Sequence, residues 1–149
     1  MLVVQLFISR GVNVLGIASP ESDATLDALG AVTVHYGVGL AERLTAAAPN
    51  GIDAFIDLSG PDYVHLAVSL GIPRDRVETV IAFAAAAELG TKADGSATAS
   101  NVEVLTDIAD LVADGTLDLV NAASYPLHRV KDAFELLERR HTHGKIVLR

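Results

Sequence analysis

The sequence predicts an α/β fold in which a parallel sheet is flanked by helices. Short apolar segments begin about 20 to 25 residues apart, and segments with a helical spacing of apolar residues lie between them. Connections of that length favour right-handed strand–helix–strand crossovers, which make successive strands parallel. The chain has 149 residues, of which 50% are hydrophobic, so we expect one compact domain spanning 1–149.

Six segments are predicted to be strands. Each is short and rich in Val, Ile or other apolar residues, and most are bounded by Gly, Ser, Pro or Asn, which favour turns. The predicted strands are 12–18, 32–36, 52–58, 77–83, 119–122 and 144–148.

The predicted helices are bounded by residues that favour helix ends. Ser19 is expected to cap the second helix, with Pro20 at its first position and Gly30 at its end. Ser100 and Glu103 match the capping box, in which the two side chains satisfy orphan backbone N–H groups reciprocally. The predicted helices are 2–11, 20–29, 40–48, 63–70, 101–114 and one that begins at Pro126.

We expect an apolar face of the last two helices to pack inward. The residues of these faces are Val102, Leu105, Ile108, Leu111 and Val112 in the first, and Leu127, Val130, Phe134 and Leu137 in the second. The Ala- and Gly-rich segment 84–98 is predicted to be irregular.

Composition excludes several classes of function. The net charge of −8 and the scattered basic residues argue against a nucleic-acid partner. The absence of cysteine excludes disulfides and thiol chemistry, and the cytoplasm is the expected location. No apolar run approaches the roughly 18 residues that would span a bilayer, so no membrane association is expected.

The beginning of the sequence lacks a feature that dinucleotide-binding domains require. Such a domain places a strand and a Gly-rich turn before its first helix, because the N–H groups of the turn bind the pyrophosphate. Here the first helix, 2–11, follows Met1 directly. We therefore expect a domain of this type that is truncated at its N-terminus and lacks a central strand, which would expose two strand edges.

Four segments resemble the nucleotide-binding domain of medium-chain dehydrogenases/reductases, in their zinc-independent quinone-oxidoreductase-like branch. The first segment is the part of the first helix from Gln5 to Gly11, and the second is LGA at 29–31 before a strand that ends in Tyr36. The third is GID at 51–53 with DLSG at 57–60. The fourth consists of YPL at 125–127, AF at 133–134 and HGKIVL at 143–148. The resemblance implies a Rossmann-like domain of an NADPH-dependent reductase acting on a quinone, enone or similar carbonyl. It also implies a separate catalytic domain, which this sequence does not contain, so the chain is expected to be inactive alone.

By this resemblance, Ser19 and Tyr36 would contact the adenosine half of the cofactor. The strand before Ser19 does not end in an acidic residue, which favours NADPH over NADH. Glu21 and Asp23 follow closely, however, and would repel a 2′-phosphate, so weak or absent binding of NADPH by this chain alone is expected. Two structural interpretations stay open: Ser19 as a helix cap and Tyr36 as an ordinary strand-end aromatic.

Ser59, Gly60, Ala82 and Phe83 are the residues implied for the other half of the cofactor. Ser59 and Gly60 would approach a ribose, and Ala82 and Phe83 would present backbone groups to the nicotinamide carboxamide. A turn before Pro61 explains the first two equally well, and a place in the core explains the other two.

Other constellations predict no site. His141 and His143 are two residues apart, without a carboxylate at the spacing of a metal site. Asp53 and Asp57 lie at opposite ends of one predicted strand, so they do not converge for acid–base catalysis.

Two alternatives to a reductase domain remain open. One is a stand-alone, non-catalytic Rossmann-like module that mediates interaction or dimerisation, since the family that the chain resembles commonly forms homodimers through this domain. The other is a different Rossmann-like enzyme such as a methyltransferase, but it would need the same Gly-rich loop.

Overall fold

The structure is a computed structural model that describes residues 1–95, 100–139, 142 and 144–149. Helices and parallel strands alternate along the chain, as predicted. The helices are α1 (Leu2–Ser9), α2 (Asp23–Ala28), α3 (Leu40–Ala47), α4 (Pro61–Ser69), α5 (Phe83–Leu89), α6 (Val102–Ala113) and α7 (Val130–Glu138). The strands are β1 (Leu15–Ala18), β2 (Val32–His35), β3 (Phe55–Asp57), β4 (Val77–Thr79), β5 (Asn121–Tyr125) and β6 (Lys145–Leu148).

All strand pairings in the described part of the chain are parallel. They form three separate pairs, β1–β2, β3–β4 and β5–β6. Helices α2 and α3 pack against β2, α4 and α5 against β4, and α7 against β5 and β6. The predicted α/β class with helices flanking parallel strands is therefore confirmed. Within the described residues, β1 and β3 do not pair with each other, so each keeps one edge without a strand partner.

The main apolar core lies where β3 and β4 meet α4 and α5. Val64, Ala67 and Val77 are fully buried there, and Ile17 of β1 packs against the same cluster. A second buried group surrounds the β1–β2 pair. In that group Leu26 lies against Gly16, where an added Cβ would stand 2.9 Å from the Leu26 Cδ1 atom. The contact of Ile17 with the main cluster connects the β1–β2 pair to β3 and β4 through side chains, since no ladder joins the two pairs in the described residues.

The segment after β4 differs from its prediction. The prediction of a strand over 77–83 is wrong after Thr79, because the Thr79 hydroxyl accepts hydrogen bonds from the amides of Ile81 and Ala82 and turns the chain. The prediction that 84–98 is irregular is wrong at its start, where Ala-rich α5 forms a helix that ends at Gly90. Part of that segment, 96–99, lies outside the described residues.

Other element boundaries also shift. Strand β3 is shorter than its predicted range because it is paired only where β4 lies beside it, from Phe55 to Asp57. Strand β5 runs from Asn121 to Tyr125 rather than over 119–122, because its pairing with β6 begins at Asn121 and Lys145.

Helix α6 shows two departures from prediction. Asn101, not Ser100, is its N-cap, because the Asn101 side chain accepts from the Val104 amide at 2.9 Å and the helix starts one residue after it. Its predicted inward face is also wrong in this chain, since Val102 is 79% exposed and Leu105 61%. Phe134 and Leu137 of α7 are similarly exposed.

Within the described residues, no helix is long and apolar enough to cross a membrane.

Candidate functional site

The loop after β1 carries Ser19. Its backbone is extended and leads into a short 3₁₀ turn, Pro20–Ser22, with Pro20 at the first position as predicted. The Ser19 carbonyl accepts from the Ser22 amide at 3.0 Å, whereas its hydroxyl makes no capping hydrogen bond. Ser19 is thus the N-cap by position, and its hydroxyl is not used to cap the turn.

The loop after β2 carries Tyr36, whose side chain is 56% exposed. The Tyr36 amide donates to the carbonyl of Ala18, which joins the ends of β2 and β1. Arg43 of α3 holds the same loop: its guanidinium donates to the carbonyls of His35 at 2.7 Å and Val38 at 2.8 Å. The carboxyl ends of β1 and β2 therefore form one ordered surface that contains both predicted adenosine-side residues.

An ion pair lies beside this surface. The Nε2 atom of His35 lies 2.9 Å from a carboxylate oxygen of Asp23, and both side chains are a little over two-fifths exposed. Asp23 is one of the two acidic residues expected to disfavour a 2′-phosphate. The Nε2 atom also lies 3.2 Å from the second carboxylate oxygen of Asp23, so this carboxylate is held by a histidine that sequence reasoning did not assign to the site.

The end of β3 is organised by Asp57. This side chain is 1% exposed, and its Oδ1 accepts from the amides of Ser59 at 2.8 Å and Gly60 at 2.9 Å. Gly60 has φ +157° and ψ −179°, a conformation open essentially only to glycine, and no described atom lies within 4 Å of an added Cβ. The loop therefore leaves open space above Gly60, while its two amides are already satisfied internally.

The end of β4 is organised by Thr79, which is fully buried. Its hydroxyl donates to Asp57 Oδ2 at 2.6 Å and accepts from the Ala82 amide at 2.9 Å. The Ala82 carbonyl accepts from Ala86 at the start of α5. Ala82 is buried in the core and both of its backbone groups are engaged, whereas Phe83 is 57% exposed. The Ala82 amide is therefore engaged within the chain, and its buried position agrees with the alternative of a place in the core.

The hydrogen bonds group the six predicted residues into two sets. Ser19 and Tyr36 belong to the joined ends of β1 and β2, while Ser59, Gly60, Ala82 and Phe83 belong to the joined ends of β3 and β4. Sequence reasoning missed the two residues that make the second junction, Asp57 and Thr79. A signal was present, because Asp57 is an acidic residue that ends an apolar strand and precedes a Ser-Gly turn.

One open groove of about 420 Å³ lies elsewhere. It is lined by Ile56, Glu78, Lys92 and neighbouring residues, and none of the six predicted residues lines it. Ile56 and Glu78 are paired in register and alternate with the Asp57–Thr79 pair, so they point to the opposite face of β3–β4. The groove is thus separate from the strand-end loops.

Metal ligands do not converge in the part of the chain that the structure describes, where no three His, Cys, Asp or Glu side chains come together. The predictions about His141 and His143 fall on residues outside that part.

Comparisons with known proteins give a consistent result. The family model described as zinc-binding dehydrogenase matches residues 23–148. No curated protein sequence is similar enough to count as a relative. The structure of the quinone oxidoreductase from Coxiella burnetii is 26% identical, with a TM-score of 0.75 over 99% of this chain and 48% of that one.

Two further structures share the fold. An NAD-dependent alcohol dehydrogenase is 23% identical with a TM-score of 0.72, over 98% of this chain and 46% of that one. The CurK enoyl reductase is 15% identical with a TM-score of 0.73, over 98% of this chain and 50% of that one. This chain thus spans about half the length of each solved structure. It belongs to the zinc-binding dehydrogenase family and corresponds to the nucleotide-binding domain of the medium-chain dehydrogenase/reductase superfamily.

Proposed function

We propose that this chain is the cofactor-domain portion of an NADPH-dependent oxidoreductase of the quinone or enone reductase type. The observation that carries the proposal is the position of the candidate residues, which follow the carboxyl ends of four strands in two parallel pairs. Ligands of open α/β sheets bind outside these ends. The family match and the likeness to a quinone oxidoreductase support the same class of activity.

The residues present fit part of a dinucleotide. Open space above Gly60 and the neighbouring Ser59 hydroxyl suit a ribose, and the exposed rings of Tyr36 and Phe83 offer apolar contact to adenine and nicotinamide. Because Ala82 has no free amide, a carboxamide at this loop has to use neighbouring groups. When bound, NADPH would supply the two electrons of the reduction, while these residues would bind and orient it.

The pyrophosphate is the part of the cofactor for which this chain offers the fewest binding groups. Its sequence contains no Gly-rich strand-to-helix turn before α1. Each charge-assisted hydrogen bond that is missing costs roughly 1.5–3 kcal/mol of affinity, so a few of them separate micromolar from millimolar binding. We therefore propose weak NADPH binding and no reductase activity for this chain alone.

A cytoplasmic location is part of the proposal and agrees with the absence of cysteine.

Titration of the ¹⁵N-labelled chain with NADPH, followed by NMR, tests the proposal. We expect progressive amide shifts at Tyr36, Gly60 and Phe83 with a dissociation constant near the millimolar range. Tyr36→Ala is expected to weaken binding severalfold, whereas Tyr125→Ala, a matched tyrosine change in β5, leaves it unchanged. Shifts confined to other parts of the chain would contradict the cofactor role, and micromolar affinity would contradict the weak binding.

The preference for NADPH over NADH needs its own comparison. The acidic Asp23 disfavours a 2′-phosphate, and its pairing with His35 reduces this effect. His35→Gln removes the imidazole partner of Asp23, so we expect it to lower the ratio of NADPH to NADH affinity. An affinity ratio that favours NADH in the native chain would contradict the proposed specificity.

The exposed apolar faces favour a second candidate, a non-catalytic module that forms a homodimer. Val102, Leu105 and Phe134 are each more than half exposed, and a monomer that exposes contiguous apolar residues tends to associate. Sedimentation equilibrium is expected to show a dimer that Leu105→Glu dissociates. Glu103→Gln, a charge change on the same helix, serves as the control. A monomer at all concentrations would remove this candidate.

A further inference from the structure

Asp57 and Thr79 form a buried polar connection between two loops. They face each other directly in the β3–β4 register, and both side chains are at most 1% exposed. A buried carboxylate is costly unless hydrogen bonds satisfy it. Here Oδ1 accepts from two amides, and Oδ2 accepts from the Thr79 hydroxyl at 2.6 Å. Both carboxylate oxygens are thus used as acceptors.

The direction of the hydrogen bonds is fixed by the donors that are present. The Thr79 hydroxyl has one proton and two lone pairs. The amides of Ile81 and Ala82 can only donate, and they donate to this oxygen at 3.2 and 2.9 Å. The hydroxyl proton therefore goes to Asp57. One carboxylate and one hydroxyl together fix four backbone amides, two in each strand-end loop.

Neither side chain is exposed enough to meet a nucleotide, but the loops they hold contain Ser59, Gly60, Ala82 and Phe83. If one partner moves, the other loses a hydrogen bond in a buried environment, where an unmade bond is expensive. The positions of the two loops are thus linked through the β3–β4 register. Loose attachment of either loop would enlarge the gap into which a ribose and a nicotinamide have to fit.

We propose that Asp57 and Thr79 are positioning residues that couple the Ser59–Gly60 loop to the Ile81–Ala82 loop and so set the geometry of the nicotinamide-side half of the site. The effect on a ligand rests on the proposed nucleotide-binding function. The coupling of the two loops does not, so it can be measured without any ligand.

Amide hydrogen exchange in the full chain tests the coupling. Thr79→Val removes both roles of the hydroxyl at nearly constant volume, and we expect exchange to accelerate at least tenfold at Ile81 and Ala82 and also at Ser59 and Gly60. Thr79→Ser keeps the hydroxyl and is expected to restore slow exchange. Acceleration confined to Ile81 and Ala82 would overturn the coupling.

Asp57→Asn tests the same connection by changing its other residue. The asparagine can keep an oxygen for Ser59 and Gly60 but directs an NH₂ group toward the Thr79 hydroxyl, so we expect faster exchange at the distant Ile81 and Ala82. Leu44→Ala, in the core beside β2, controls for general loss of stability and should leave the relative protection of the four amides unchanged. If Thr79→Val does not fold, Asp57→Asn and Thr79→Ser decide the question by the same readout.

NADPH titration of the same variants separates the coupling from the ligand effect. We expect Thr79→Val to weaken binding about tenfold and Thr79→Ser to recover it. If the native chain shows no NADPH binding, the proposed function of the isolated chain fails while the exchange data still decide the coupling. Coupled exchange together with unchanged affinity would overturn the positioning role.

Discussion

Gly144 lies directly against Val120 where β5 and β6 begin. A Cβ added to Gly144 would stand 2.6 Å from the Val120 carbonyl oxygen and 3.1 Å from the Ala122 amide nitrogen. The same Val120 oxygen accepts from the Lys145 amide at 2.7 Å. Gly144 also has φ +127°, which side-chain-bearing residues rarely adopt. The parallel pairing of β5 with β6 therefore depends on the absence of a side chain at this position.

Gly144→Ala is expected to lower the free energy of unfolding by about 2–4 kcal/mol, because backbone strain and a steric clash add at one site. Gly115→Ala is the matched control: it also has a positive φ, but no described atom lies within 4 Å of an added Cβ, so we expect about 1 kcal/mol. Urea unfolding followed by circular dichroism measures both. Equal losses would mean that the contact with Val120 does not constrain the strand pair.

Truncation of Leu44 tests the core beside β2. Leu44 is 1% exposed, so Leu44→Ala removes buried methyl groups and leaves a cavity, with an expected loss of about 2–5 kcal/mol. Leu127 is 68% exposed, and Leu127→Ala is expected to change stability by less than about 0.5 kcal/mol. Urea unfolding midpoints compare the two variants. A small loss at Leu44 would show that α3 is not firmly packed on β2.

The loop that carries Tyr36 is expected to depend on Arg43. The planar Arg43 guanidinium donates to the carbonyls of both His35 and Val38. Arg43→Lys replaces it by a single ammonium group, which cannot donate to both carbonyls in the same geometry. We expect a stability loss of about 1–2 kcal/mol and faster amide exchange at Tyr36. Arg139→Lys, at the exposed end of α7, should change neither. Unchanged exchange at Tyr36 would mean that the loop is ordered without the guanidinium.

The carboxyl group of Asp114 gives a prediction for pH dependence. Hydrogen bonds from the Thr116 side chain and amide lower the pKa of Asp114 below its ordinary value. The corresponding stabilisation is present above the ordinary pKa and is lost as the pH falls through the lower, folded-state pKa. Thr116→Val is expected to raise the ¹³C NMR titration midpoint of the Asp114 carboxyl, whereas Thr106→Val, a change of the same type in α6, should not. A midpoint insensitive to Thr116 would contradict this cause.

The sequence predicted the class of the fold because its signals are local. Alternating apolar segments and turn residues mark β1 to β6, and Pro20 marks the start of the turn after β1. The same local signals failed where a side chain overrides them. The apolar run 77–83 reads as one strand, but the Thr79 hydroxyl captures two amides and turns the chain, after which the alanines form α5. A similar competition between adjacent polar residues gave the cap of α6 to Asn101 instead of Ser100.

The sequence by itself determined the α/β class, the family resemblance and the positions of Ser19, Tyr36, Ser59 and Gly60 just after strands, because spacing and residue type encode these features along the chain. Only the tertiary structure decided which strand ends are joined, that Asp57 and Thr79 hold two loops together, and that the Ala82 amide is already used. It also showed that Val102 and Leu105 remain exposed. Hydrogen bonds between residues about 20 positions apart join the strand ends, and the packing of the whole chain sets which side chains are buried, so local patterns along the sequence do not determine either.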